Sequence, residues 1–224
     1  MGIYFLLIII PALLGFWAQY RVKGAFGKYS KIRATSDITG AQAARDVLAA
    51  AQIDDVEVVE INDMLGDHYD PARKRLCLST DVYNTPSVAA LGIAAHEAGH
   101  AIQHARAYGP LKARMALVPV TMFASQLLPF VILGGIFFKM AGLIQLGIYC
   151  YLAIVAFQLI TLPVEFDASR RAKVVLGHMG IIQPGAESDG VNRVLNAAAL
   201  TYVAALVAAI GNLIYLFLAS RGRQ

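Results

Sequence analysis

Four long apolar stretches are the feature of this 224-residue sequence that most limits how it can fold. They cover residues 3–20, 115–138, 142–163 and 197–219. Each is close to the ~20 residues that a helix needs to cross ~30 Å of hydrocarbon. The chain is 58% hydrophobic and 15% charged, with mean hydropathy +0.58, which is too apolar for a soluble domain of this length. The sequence therefore predicts a mainly α membrane protein with four transmembrane helices.

Charges beside the first apolar stretch predict its orientation. The basic residues that follow it directly are Arg21, Lys23, Lys28, Lys31 and Arg33. The link between the second and third stretches carries only Lys139. Because basic residues stay on the cytoplasmic side, residues 21–114 and, by parity, 164–196 are expected to face the cytoplasm. Arg221 and Arg223 at the C-terminus do not fit this orientation.

The first stretch, within residues 1–20, is expected to be an uncleaved anchor. No Lys or Arg precedes it and no small-residue cleavage site ends it, which disfavours a secretory signal. A pI of about 9.1 could indicate nucleic-acid binding, but acids and bases nearly balance between the first two stretches. No nucleic-acid partner is expected. Cys77 and Cys150 should lie in different environments and form no disulfide.

Residues 21–114 are predicted to form a small α+β insert. Thr39 can cap a helix over residues 40–51, whose apolar positions recur at helical spacing. Two β-prone runs, residues 56–61 and 73–79, are separated by turn-favouring residues and predict a hairpin. The second run either offers an edge to an extended peptide or only packs on the helix.

A metal-binding motif lies in another predicted helix, residues 86–108, for which Thr85 can act as the cap. His96, Glu97 and His100 spell HExxH, so two imidazoles share one face of the helix and can bind zinc. Glu97 is then placed to act as general base. The alternative, a helix with two ordinary polar histidines, is disfavoured because the preceding apolar run makes unpartnered polar groups there costly.

Glu165 is the preferred third ligand of the predicted site. His104 lies on the same face, but a rise of ~12 Å from His96 is too large for good convergence on one ion. Glu165 opens a polar run just after the third apolar stretch, on the same predicted membrane side as the motif. One zinc held by two His and one Glu keeps a fourth position open for water. The alternative pairs Glu165 with Arg170 or Arg171.

Other polar residues are candidates for supporting roles. Metal-bound imidazoles usually donate their second N–H to an acceptor, so Asp167 and Ser169 could orient them. Stabilising an oxyanion requires a donor near the metal, and the sequence does not choose among several side chains. These are Arg170, Arg193, Asn196, His178 and Tyr202.

Three segments resemble a known family. They are Leu91–Gln103 (LGIAAHEAGHAIQ), Leu162–Ala172 (LPVEFDASRRA) and Asn196–Ala205 (NAAALTYVAA). They resemble the bacterial membrane zinc metallopeptidases of the YugP type, and the resemblance runs from the first apolar stretch through the last. It implies an integral protein of the bacterial inner membrane with its zinc site facing the cytoplasm.

HtpX-like membrane proteases are more distantly similar. In these proteins HExxH is followed, after a helical hairpin, by a zinc-ligating Glu and an Asp four residues later. His96, Glu97, His100 and Glu165 match that pattern, whereas Ser169 stands at the later position. Asp167 is then a possible substitute for the missing carboxylate.

The combined prediction is a membrane-anchored, gluzincin-like zinc endopeptidase that cleaves membrane-associated or misfolded proteins. Its expected partners are a polypeptide substrate and membrane lipid, and a quality-control role is inferred by analogy. A rival interpretation is a non-proteolytic scaffold or chaperone adaptor in which zinc ties the insert to the hairpin of residues 115–163. Only three credible ligands argue against that, because structural zinc usually has four. A transporter is disfavoured because the apolar stretches carry few ionisable groups.

Overall fold

The computed structural model describes residues 2–63, 66–138 and 140–221. Lys139 and Arg223, which bear on the predicted orientation, lie outside the described residues. The fold is mainly helical with one small sheet, as predicted. Its elements are α1 (Gly2–Tyr29), α2 (Gly40–Ala50), β1 (Glu57–Ile61), β2 (His68–Asp70), β3 (Arg75–Ser79), α3 (Thr80–Tyr83), α4 (Val88–Ala105), α5 (Gly109–Phe137), α6 (Ala141–His178) and α7 (Ala186–Arg221).

Within the described ranges, four helices are long and apolar enough to cross a membrane, in agreement with the predicted number. The candidate spans are Phe5–Tyr29, Gly109–Gly135, Ala141–His178 and Ala186–Arg221. Three of these helices continue well beyond the apolar stretches. α1 runs on to Tyr29, α6 passes Pro163 without a break and ends at His178, and α7 begins at Ala186, eleven residues before its stretch opens at Ala197.

The chain divides into two compact units, of which the first is the apolar one. It comprises residues 1–19, 110–163 and 200–224. Large apolar side chains on its helices are exposed, among them Phe16, Phe123 and Phe130. A small cluster of Ala124, Leu128 and Cys150 is buried. Helices that remain apolar on their exposed faces are typical of membrane spans.

The second unit comprises residues 20–109 and 164–199 and has a conventional buried core. Val47 of α2, Leu76 of β3, Leu91 of α4 and Leu176 of α6 are all fully buried in it. The Thr39 side chain accepts a hydrogen bond from the backbone N–H of Gln42, so the predicted cap of α2 is confirmed. This unit holds the candidate site on two helices anchored in the core.

The sheet has the strand order β1–β3–β2, which corrects one prediction and excludes one of two open alternatives. β1 and β3 do not form a hairpin, since they pair in parallel with Glu57 opposite Arg75. β3 is not an edge strand, because β2 pairs with its other side. The hairpin joins β2 to β3 instead, through a turn in which Asp70 Oδ1 accepts from the backbone N–H groups of Ala72 and Arg73. Residues 68–70, assigned to the turn region in the sequence, are therefore a strand.

α4 is shorter at both ends than predicted. Its cap is Ser87, whose hydroxyl accepts from the backbone N–H of Ala90, rather than Thr85. The carbonyl of Pro86 accepts from the backbone N–H of Ala34, and Ser87 is extended, so Pro86 lies outside the first helical turn. At the other end, the helix stops at Ala105 and α5 begins at Gly109.

Candidate metal centre

The close approach of α4 and α6 places the candidate site. At Gly99 of α4 the two helices come so near that an added Cβ would lie 2.9 Å from the backbone oxygen of Ala168 and 3.3 Å from its Cα. Backbone atoms cannot move aside as a side chain can. A residue without a side chain is therefore required in the middle of the HExxH motif, and it brings the histidine face of α4 against α6.

Three potential ligands converge at this crossing. His96 Nε2 lies 3.3 Å from Glu165 Oε2, and His100 Nε2 lies 3.6 Å from the same oxygen. The three ligand atoms all lie within 4.8 Å of one another. The imidazole rings meet edge to face with centroids 4.8 Å apart. Glu165 is only 2% exposed, so its carboxylate is aimed into the cluster rather than into solvent.

The spacing of this cluster fits a zinc ion. With bonds of about 2.0–2.1 Å, neighbouring ligands of a tetrahedral zinc are roughly 3.4 Å apart. The two separations from Glu165 Oε2, 3.3 and 3.6 Å, bracket that value. Two imidazole nitrogens and one carboxylate oxygen are also a donor set that zinc accepts at catalytic sites. The residues present therefore fit the metal that the motif predicts.

Gln103 fixes the orientation of the His100 imidazole. Its amide group donates to the carbonyl oxygen of Val164 and to Asp167 Oδ2, both at 2.9 Å. Because both acceptors require the NH2 end, Oε1 of the amide faces His100 Nδ1, 3.0 Å away. His100 must then carry its proton on Nδ1, which leaves the lone pair of Nε2 directed at the cluster.

Sequence reasoning missed Gln103, although a signal for it was present. Gln103 follows His100 by three residues, and side chains at that spacing are neighbours on a helix. It is completely buried, and a buried amide needs partners for its donors and its acceptor. Those partners lie on α6, so the signal could be interpreted only once the packing of α4 on α6 was known.

The predicted supporting residues occupy different places. Ser169 Oγ lies 3.1 Å from His96 Nδ1 and can accept its N–H, which leaves Nε2 of His96 for the metal. Asp167 touches neither histidine and reaches His100 only through Gln103. Its carboxylate also accepts from the guanidinium groups of Arg170 and Arg171. The arginines that were considered as partners of Glu165 therefore pair with Asp167.

Burial and charge tune two groups on α4. Burial raises the pKa of the Glu97 carboxyl above its usual range, although the neighbouring His96 and His100 act in the opposite direction. Burial lowers the pKa of His100, but its hydrogen bond to Glu165 and the nearby carboxylates outweigh burial, so the net shift is upward.

Several other sequence candidates lie apart from the ligand atoms. His104 Nδ1 forms a hydrogen bond with the Tyr69 hydroxyl oxygen, 2.9 Å away. Asn196 is exposed and accepts from Lys173 Nζ at 2.8 Å. Arg170 is largely exposed apart from its ion pair with Asp167. None of these contacts brings a donor to the three ligands, so the oxyanion role stays a prediction without a preferred residue.

Comparison with known proteins identifies the family. The family described as "Putative neutral zinc metallopeptidase" matches residues 4–221, so the chain belongs to this family. It is also 48% identical to the "Putative membrane protease YugP" of Bacillus subtilis (strain 168) over 211 residues, which are 94% of this chain and 93% of that protein. The resemblance drawn from the sequence is therefore confirmed. No solved structure matches the chain.

Proposed function

We propose that this protein is a zinc-dependent endopeptidase in which His96, His100 and Glu165 bind the ion and Glu97 is the general base. The observation that carries the proposal is the convergence of three ligand atoms within 4.8 Å on two helices locked together at Gly99. Each histidine uses Nδ1 for a supporting contact and keeps Nε2 for the ion. Family membership supports the same chemistry.

An open coordination position favours catalysis over a purely structural ion. Structural zinc sites are normally closed by four protein ligands, whereas catalytic sites use three. The cluster formed by the described residues offers three. Bound zinc would supply Lewis acidity, which polarises a carbonyl and lowers the pKa of water.

The chain's own residues then account for the proton transfers. Glu97 is adjacent to His96, is only 8% exposed, and has a raised pKa because of burial. A carboxylate with a raised pKa is a better proton acceptor near neutral pH. We propose that Glu97 takes a proton from the water that attacks the peptide carbonyl and passes it to the leaving amine. Gln103 and Ser169 hold the two imidazoles while this occurs.

The proposed setting is the cytoplasmic side of a bacterial inner membrane. Four helices in the described part of the chain are long and apolar enough to cross a membrane, and basic residues cluster directly after the first apolar stretch. The relative from Bacillus subtilis carries the name of a membrane protease. We propose membrane-associated or misfolded polypeptides as substrates, because a site on a membrane-anchored protein lies close to other proteins at the membrane.

Replacing Glu97 by Gln tests the mechanism. The variant should keep its zinc, because Glu97 is not a proposed ligand, but lose cleavage of a panel of membrane proteins by at least about 100-fold. Zinc is measured by elemental analysis and cleavage by gel or mass spectrometry. Glu57→Gln is a matched control, because that carboxylate is exposed and, among the described residues, pairs only with Arg75 at 3.0 Å. Full activity of the Glu97 variant would refute the mechanism.

Replacing Glu165 by Ala tests the third ligand. The expected result is a fall in zinc content below one ion per chain, together with lost cleavage. Unchanged zinc content would show that Glu165 is not the third ligand and that another residue takes this role. If zinc binds in the wild type but no polypeptide is cut, the non-proteolytic scaffold becomes the better interpretation.

A further inference from the structure

A cavity lined by residues of α1 and α7 lies in the same unit as the candidate metal centre. Its volume is about 220 Å³, and it has no residue in common with the metal cluster. Gly24 and Ala197, with little or no side chain, leave the space between the helices open. The proposed proteolytic chemistry makes no use of it.

The lining of this cavity is positively charged. Arg21 and Lys28 project from α1, and Arg193 projects from α7. No acidic side chain of the described residues lines it. Two tyrosines complete the wall, and Lys28 Nζ lies 5.3 Å from the ring centroid of Tyr29. Three cations around one small cavity favour an anionic occupant, and guanidinium groups are suited to binding phosphate oxygens.

The position of the cavity along both helices indicates where that anion comes from. On α1 the lining begins at Tyr20, where the apolar stretch ends. On α7 it ends at Ala197, where the last apolar stretch begins. Tyr, Arg and Lys at such junctions lie at the level of lipid headgroups. The residues on both helices thus change from polar to apolar at the cavity itself.

We propose that this cavity binds the phosphate headgroup of one anionic phospholipid. Arg21, Lys28 and Arg193 would bind the phosphate oxygens, while the lipid chains follow the apolar surfaces that start at Tyr20 and Ala197. A soluble phosphate ester presents the same oxygens. The apolar sequence that begins directly at the cavity on both helices favours the lipid, and the two sources are separated by experiment.

Two glycines of α1 offer a matched pair of variants. Gly24 lines the cavity, whereas Gly27 does not. Both lie within α1, and a Cβ at either would meet nothing within 4 Å. Gly24→Glu and Gly27→Glu therefore add the same charge to the same helix without a clash of the added Cβ, and both replace glycine by a better helix former. Only the first puts a carboxylate in the cavity.

The test is titration of the full-length, delipidated protein in non-ionic detergent with phosphatidylglycerol, followed by native mass spectrometry. Gly24→Glu should weaken binding of the first lipid by at least about fivefold, while Gly27→Glu stays near wild type, because each juxtamembrane charge is worth about that factor. Phosphatidylcholine should bind weakly to all three proteins. Equal weakening by both variants would overturn the proposal, because lipid binding would then depend on the overall charge of the surface and not on the cavity.

Two further arms complete the experiment. Arg193→Gln should reproduce the loss, whereas Lys23→Gln, which removes the same charge outside the cavity, should not; this pair decides the case if the glycine variants fold poorly. Inorganic phosphate at millimolar concentration should not displace the lipid. If phosphate binds in a Gly24-dependent manner and excludes the lipid, the cavity is a site for soluble anions and the proposed lipid is wrong.

Discussion

The two histidines of the candidate metal centre are supported in different ways. His100 faces an amide that is completely buried and held by two acceptors, Val164 O and Asp167 Oδ2. His96 faces a single hydroxyl, that of Ser169. An amide with both donors engaged presents its carbonyl oxygen in one direction only. A hydroxyl can rotate and can act as donor or acceptor, so it fixes the tautomer of its histidine less firmly.

From this difference we infer that the two proposed ligands have different roles. The support of His100 extends through Asp167 to the guanidinium groups of Arg170 and Arg171, so the amide that faces this imidazole is itself held by an ion-paired carboxylate of α6. His96 can turn when one hydroxyl does. We expect His100 to be the ligand that holds the ion, and His96 to be the one that adjusts when substrate binds.

Replacing Gly99 by Val should have the largest effect, because it disturbs both histidines at once. A Cβ there would lie 2.9 Å from a backbone oxygen of α6, and the two extra methyl groups add to the clash. Overpacking of this kind typically costs about 1–3 kcal/mol. Separation of α4 from α6 should also move both imidazoles away from Glu165. The expected result is loss of stoichiometric zinc together with a lower thermal unfolding temperature.

Gly177→Val provides the matched control for that variant. Gly177 lies on α6 in the same unit, is exposed, and has nothing within 4 Å of an added Cβ. It should keep its zinc and unfold near the wild-type temperature. If the Gly99 variant binds zinc normally, the close contact of the helices does not set the ligand spacing. The different supports of His100 and His96 would then not explain how the ion is held.

Replacing Gln103 by Leu should have the next largest effect. Leu has a similar size but leaves His100 Nδ1, the Val164 carbonyl and one oxygen of Asp167 without the amide. Loss of such supporting contacts typically lowers metal affinity by about 10–100-fold. Competition with a chelator measures the zinc affinity directly, independently of cleavage. Gln42→Leu, at an exposed position of α2, is the control for the change in side-chain chemistry and should leave the affinity unchanged.

The residues of this site differ in how far the sequence alone could predict them. His96, Glu97 and His100 follow from the spacing of one motif on one helix. Glu165 could be proposed because membrane topology limits which carboxylates can reach that motif. Gln103 could not be assigned, since its partners are a carbonyl and a carboxylate on another helix. Local spacing predicts what a single element presents, whereas hydrogen bonds across a helix crossing depend on packing.

The fold shows the same limit. The apolar stretches predicted the four long helices, and Thr39 predicted the start of α2 because a capping bond is local. The strand runs of residues 56–61 and 73–79 were located correctly but paired wrongly. Whether two neighbouring runs pair in parallel depends on what passes between them, and the three-residue strand His68–Asp70 was too short to recognise by alternation.

Replacing Ser169 by Ala should have the smallest effect of the three. It removes one hydroxyl from His96 Nδ1 but leaves the Gln103 network intact, so zinc affinity should fall by less than about 10-fold. Ser36→Ala is the control, because the buried Ser36 hydroxyl has no hydrogen-bond partner among the described residues. A larger loss in Ser169→Ala than in Gln103→Leu would reverse the assigned roles and make His96 the firmly held ligand. A smaller loss, with cleavage reduced more than zinc affinity, is the result expected if His96 is the ligand that adjusts to substrate.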